Sequence, residues 1–116
     1  KNSEVAQSKL NIKIAEENLL LTEQLIKVDI SNYEIQYKNA IENISREKEN
    51  LELAESVYRN TQTEYQQGTC SALELIQSES LYLIAQNNYY NKLLNLYIAR
   101  IKLEKVKGTL MSFVNK

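Results

Sequence analysis

Apolar side chains recur every seven residues over the first 65 positions of the chain. One column consists of Ile30, Tyr37, Ile44, Leu51, Tyr58 and Tyr65, and a second column, offset by three, consists of Tyr33, Ala40, Glu47, Ala54 and Thr61. Two columns with this spacing are the a/d seam of a coiled coil, here with two polar interruptions, and they indicate left-handed supercoiling. The second column continues upstream through Val5, Ile12, Leu19 and Ile26. The pattern predicts one helix over about residues 3–66.

The second half of the chain carries three apolar columns at the same spacing. The first column is Leu75, Tyr82, Tyr89, Leu96 and Leu103, the second is Leu73, Ser80, Asn87, Leu94 and Ile101, and the third is Ile76, Leu83, Tyr90 and Tyr97. A surface this broad exceeds what a two-helix seam needs. It fits a well-buried helix of a three- or four-helix bundle, or a helix with neighbours on both sides, as a stave has in a barrel. The pattern predicts a helix over about 71–107 that ends at Gly108, followed by a frayed tail at 109–116.

A tight turn is predicted where the two tracts meet. The chain has no proline and two glycines, Gly68 and Gly108. A glycine just after the last helical residue supplies the left-handed backbone that ends a helix. Ser71 and Glu74 are spaced as a capping box for the next helix. We therefore predict an all-α fold over residues 1–108, a long antiparallel coiled-coil helical hairpin with its tip at 67–71.

The two predicted helices differ in length. A helix over 71–107 covers only the half of the first helix nearest the turn, so the apolar column over residues 1–30 has no partner within the chain. An apolar column of this kind is normally buried. We expect an oligomer or a further segment to cover it. Alone, the chain is expected to be a monomer or a non-native dimer that hides residues 1–30.

Composition excludes several classes of function. The net charge is −1, from 14 basic and 15 acidic residues. This balance predicts no basic surface that would bind nucleic acid or an anionic membrane. The chain has no histidine and one cysteine, so we predict no metal site, no cofactor and no enzymatic activity. No apolar run is long enough to cross a bilayer as a helix. Because the chain begins at Lys1 in mid-pattern, we expect it to be a piece of a longer protein.

The turn and the second tract carry a motif series beyond simple heptads. The series consists of Tyr65-Gln-Gln-Gly68-Thr69-Cys70-Ser71, then Leu81-Tyr82-Leu83-Ile84-Ala85, Tyr89, Tyr97 and finally Lys107-Gly108-Thr109-Leu110. This series resembles the second repeat of the outer-membrane efflux protein (TolC) family. The Gly-Thr-x-Ser turn and the Gly-Thr-Leu end, at the right separation, are its most specific parts.

The resemblance implies that the hairpin is a fragment of an α-barrel. Members of the family are homotrimeric channels of the Gram-negative outer membrane whose helical tunnel crosses the periplasm. They serve drug efflux or type I secretion. The tunnel tips dock a periplasmic adaptor (membrane fusion) protein and, through it, an inner-membrane pump, which sets the exported substrate.

The resemblance also assigns roles to residues at the turn. It implies an adaptor docking tip at Gly68, Thr69, Cys70 and Ser71, and an entrance gate at Tyr65, Glu74 and Gln77. Each of these residues also has a purely structural interpretation, as a turn, cap or seam residue. The chain departs from the family at two positions. The family's best-known member has an arginine latch where this chain has Cys70, and family members can carry a second acidic ring where it has Gln77.

Two other functions remain open at the sequence level. The chain could be the helical hairpin of the adaptor itself, although the Arg-Leu-Ser pattern usual near such a turn is absent. It could also be a coiled-coil scaffold unrelated to transport.

Overall fold

The computed structural model describes residues 1–115 and contains two helices. Helix α1 spans Asn2–Gln66 and helix α2 spans Ala72–Val114. No strand occurs among the described residues. The all-α helical hairpin is therefore confirmed, and the start and end of α1 lie within one residue of the prediction.

The heptad seam of α1 lies against α2. The half-buried positions of α1 over residues 26–61 include Ile26, Ile30, Tyr33, Tyr37, Ala40, Ile44, Glu47, Leu51, Ala54, Tyr58 and Thr61. These are the two predicted columns, with their polar interruptions at Glu47 and Thr61 kept in the seam. Tyr65 continues the spacing but is 46% exposed. The predicted seam is confirmed from Ile26 to Thr61.

The facing surface of α2 combines one large and one small column. The large column is the first predicted column, from Leu75 to Leu103. The small column lies three residues further on and consists of Ser78, Ala85, Lys92, Ala99 and Val106. Ser78, Ala85 and Ala99 are among the most buried residues of the chain. Small side chains at these positions allow the two helix axes to approach closely.

The predicted end of α2 at Gly108 is wrong. The helix continues through this glycine to Val114, and Gly108 has no positive φ. A glycine inside a helix costs about 1 kcal/mol relative to alanine, and here the seam continues past it through half-buried Leu110 and Phe113. The predicted tail is therefore helical through Val114, while Lys116 lies outside the described residues.

The chain divides into two compact units, one formed by Gln36–Arg100 and the other by Lys1–Ile35 with the chain from Ile101 onward. The unit that contains the chain ends buries more of α1 than predicted. Its half-buried positions reach back to Glu23, and Phe113 shares a groove with Leu19 and Leu20. The predicted uncovered stretch of residues 1–30 is therefore too long. All side chains over residues 1–22 are exposed.

Candidate functional site: the helical tip

The turn after α1 is a Schellman motif centred on Gly68. Gly68 has φ of +75°, its N–H donates to the carbonyl of Tyr65 at 3.0 Å, and the N–H of Thr69 donates to the carbonyl of Glu64 at 2.8 Å. This is the pairing that satisfies the last carbonyls of a helix when the residue after it is left-handed. A side chain at Gly68 meets no heavy atom within 4 Å, so glycine is required by the backbone conformation and not by space.

The start of α2 is a reciprocal capping box. The N–H of Ser71 donates to Oε2 of Glu74 at 3.2 Å, and the N–H of Glu74 donates to Oγ of Ser71 at 3.1 Å. The carbonyl of Ser71 also accepts from the N–H of Leu75 at 3.2 Å. The predicted capping box is therefore present, and the carboxylate of Glu74 is directed to the backbone of the turn.

Two of the docking residues predicted by resemblance are attached to α1. Oγ1 of Thr69 donates to the carbonyl of Glu64 at 3.0 Å. The thiol of Cys70 donates to the carbonyl of Thr61 at 3.4 Å, across nine positions of the chain. Thr69 is exposed, whereas Cys70 is half-buried. Side chains as well as backbone thus hold the tip in one conformation.

The environment of Cys70 disfavours its thiolate. Burial at the turn, followed by the negative charges of Glu74 and Glu64, raises the pKa of the Cys70 thiol above its ordinary value. The position near the start of a helix acts in the opposite direction. The raised pKa keeps the Cys70 thiol largely protonated at neutral pH.

The three predicted gate residues do not form one cluster through hydrogen bonds or ring contacts. Tyr65 and Gln77 are exposed, and Glu74 is engaged with Ser71. The aromatic layer nearest the turn is formed by other tyrosines. The rings of Tyr58 and Tyr82 lie 5.6 Å apart between centroids, with an interplanar angle of 41°. The gate assignment remains a prediction from resemblance.

No group of three His, Cys, Asp or Glu side chains that could hold a metal occurs among residues 1–115. Neither helix, over the described range, contains a stretch apolar enough to span a membrane. A shallow, open groove of about 540 Å³ is lined by Leu19, Leu20 and Phe113, among others.

Helix α2 carries a second apolar face that nothing in its own unit covers. We call it the outer α2 seam, and it consists of Leu73, Ile76, Ser80, Leu83, Asn87, Tyr90, Leu94 and Tyr97. The six apolar members are between 51% and 63% exposed. The face of α1 opposite its seam differs in the same unit, since it carries Glu42, Glu49, Ser56 and Thr63. The apolar outer surface of this unit is thus concentrated on α2.

The sequence interpretation missed the small inner column of α2. Ser78 is 7% exposed and donates from Oγ to the carbonyl of Leu75 at 2.8 Å. Ala85 and Ala99 lie seven and twenty-one positions further on. Steps of three and four residues from Leu75 lead to Ser78, Tyr82 and Ala85, so the heptad spacing contains this column. The large apolar residues of the other columns give a stronger hydrophobic pattern, and they drew the prediction away from the small residues.

No protein-family model, curated protein or solved structure matches this chain. The resemblance of the turn motif to the outer-membrane efflux protein family therefore stays a prediction. The fold can be assigned directly, and it is an all-α helical hairpin with a capped tip.

Proposed function

We propose that the hairpin is a periplasmic tunnel segment of a trimeric outer-membrane channel for drug efflux or type I secretion. In this role its tip docks a periplasmic adaptor protein. The observation that carries the proposal is the two-sided apolar surface of α2. One side packs on α1, and the outer α2 seam is available to a further helix. A helix in the wall of a helical tunnel needs two such surfaces, because it has a neighbouring helix on each side.

The construction of the tip supports a docking role. The backbone amides of Gly68 and Thr69 are bonded within the turn, and those of Ser71 and Glu74 are bonded within the cap. A partner therefore meets a preorganised surface and need not order the turn on binding, which favours affinity. The exposed hydroxyl of Thr69 lies at this surface.

The two glycines provide a matched test in the full-length protein with its native flanking sequence. Gly68→Val strains a left-handed position, whereas Gly108→Ala changes a helical glycine with open space around it. We expect Gly68→Val to reduce export of a fluorescent efflux substrate by cells at least tenfold and Gly108→Ala to leave it unchanged. Both variants are compared at equal amounts in the outer membrane. Unchanged export by the valine variant contradicts adaptor docking through the tip.

Site-directed crosslinking separates docking from folding. A photoreactive residue at exposed Thr69 should capture the adaptor, whereas the same residue at Leu53, which is 66% exposed on α1, should not. Equal capture at both positions, or capture at neither, counts against the proposal.

A coiled-coil scaffold is the second candidate, because the outer α2 seam could serve an assembly unrelated to transport. The native flanking sequence distinguishes the candidates. Amphipathic segments of about ten residues with strand alternation indicate a channel. A lipoyl-like β domain indicates the adaptor, and the absence of both indicates a scaffold.

A further inference from the structure

We infer that the outer α2 seam binds the same seam of a second copy of this chain, with the two α2 helices antiparallel about a two-fold axis. The inference concerns the 116-residue chain in solution and does not rest on the proposed channel function. It follows from the spacing, the order of side-chain sizes and the charge of this one face.

The spacing of the seam requires a helical partner. Its members follow one another at alternating steps of three and four residues from Leu73 to Tyr97. This alternation is the knobs-into-holes pattern of a coiled coil, sustained here for more than three heptads. The inner seam of α2, which has the same pattern, is occupied by α1, so the outer one has the form of a second helix-binding surface.

The order of side-chain sizes along the outer α2 seam favours a second copy turned end for end. The seam begins with Leu73 and Ser80 in one column and ends with Tyr90 and Tyr97 in the other. In an antiparallel coiled coil each layer joins one column of a helix to the other column of its partner, so Tyr97 faces Leu73 and Tyr90 faces Ser80. A parallel, in-register partner instead places each tyrosine against its own copy. Large against small gives the more even packing of the shared layer.

The charge of the face also fits an identical partner. Lys92 is the only charged residue between positions 80 and 99, and it is half-buried in the inner seam column. Two copies of this tract therefore meet without like-charge repulsion. The outer face of α1 in the same unit carries the negative charges of Glu42 and Glu49. Two copies that met through α1 would repel each other, so contact through the α2 helix of each copy is favoured.

Asn87 sets the register of this dimer. It lies two positions from the midpoint between Leu73 and Tyr97, so the two Asn87 side chains lie in adjacent layers beside the two-fold axis. A single asparagine in an apolar seam selects register and oligomeric state, because a mispaired amide is left without a hydrogen-bond partner.

Single cysteines test the arrangement in the full chain carrying Cys70→Ser. We expect Asn87→Cys to form a disulfide-linked dimer under mild oxidation. Ile76→Cys and Leu94→Cys, which face each other in the antiparallel pair, should crosslink at most weakly when each is alone, and at least tenfold more when mixed. Leu53→Cys on α1 is the control and should crosslink at the level of random collision. Strong crosslinking of Ile76→Cys to itself shows a parallel pairing and overturns the inference, as does reaction of Asn87→Cys no faster than the control.

Sedimentation equilibrium provides an independent test without cysteines. The unmodified chain should form dimers, and Leu83→Lys should raise the dissociation constant about tenfold or more, with Leu53→Lys as the matched control. Circular dichroism checks that both variants keep their helices. A chain that is monomeric at all concentrations overturns the inference. So does association that Leu83→Lys leaves unchanged, because the dimer then uses another face.

Discussion

Ser71 and Glu74 cap each other at the start of α2, each accepting through its side chain from the backbone N–H of the other. Ser71→Ala removes the hydroxyl oxygen that accepts the hydrogen bond from the N–H of Glu74. We expect a loss of about 1 kcal/mol in the free energy of unfolding. Thermal unfolding followed by circular dichroism measures the loss, and Ser71→Asp is the control because aspartate also caps. An alanine variant as stable as the unmodified chain contradicts the role of the cap.

The two glycines should respond to alanine with opposite signs. Gly68→Ala places a side chain at φ of +75° and should destabilise the hairpin by about 1–2 kcal/mol. Gly108→Ala replaces a glycine within α2 and should stabilise it by up to about 1 kcal/mol. Neither new methyl group meets a heavy atom within 4 Å, so the difference in unfolding free energy comes from the backbone conformation alone. Urea unfolding of both variants measures this difference, and equal changes in unfolding free energy contradict the prediction.

Cys70 should react slowly with alkylating reagents at pH 8. Its thiol pKa is raised by burial and by Glu74 and Glu64, so the thiolate fraction at a given pH is below that of the unfolded chain. Glu74→Gln removes the charge and keeps an amide that can cap, and it should shift the pH profile of iodoacetamide reaction to lower pH. Glu79→Gln, one turn further along α2, is the control. If the midpoint pH of the reaction in the folded chain equals or lies below that in the urea-unfolded chain, the prediction is wrong.

The two ends of the chain should differ in their effect on stability. Deleting residues 109–116 removes half-buried Leu110 and Phe113 and should cost roughly 2 kcal/mol. Deleting residues 1–15 removes only exposed side chains and should leave the unfolding free energy within about 0.5 kcal/mol. Urea titrations of both deletions decide the matter. Equal stability of the two indicates that the end of α2 is not packed on α1.

The parts of the hairpin that follow from local rules were predictable from the sequence. The end of α1 and the start of α2 depend on Gly68, Ser71 and Glu74, which act within six positions of one another. The α1 seam was predictable because large apolar residues at heptad spacing have few alternatives to burial. These features need no knowledge of which surface the other helix covers.

The features that depend on the packing of two helices were not predictable in the same way. Ser78 and Ala85 lie in the seam because their small size permits close approach, and neither gives a hydrophobic signal. Gly108 has the features of a helix stop, but the contacts of Leu110 and Phe113 outweigh its propensity. The bond from Cys70 to Thr61 likewise exists only once α2 returns along α1.

The position of the turn determines the order in which the hairpin closes. Tyr58 and Tyr82 are 24 positions apart, whereas Glu34 and Lys107, which form an ion pair at 3.9 Å, are 73 positions apart. Closing the longer loop directly costs about 1 kcal/mol more in chain entropy, so pairing starts at the turn and proceeds away from it. During synthesis α1 is complete before any of α2 exists, and its apolar seam stays uncovered until the turn is made. The earliest vulnerable state of this molecule is therefore the α1 segment with its apolar seam unpaired.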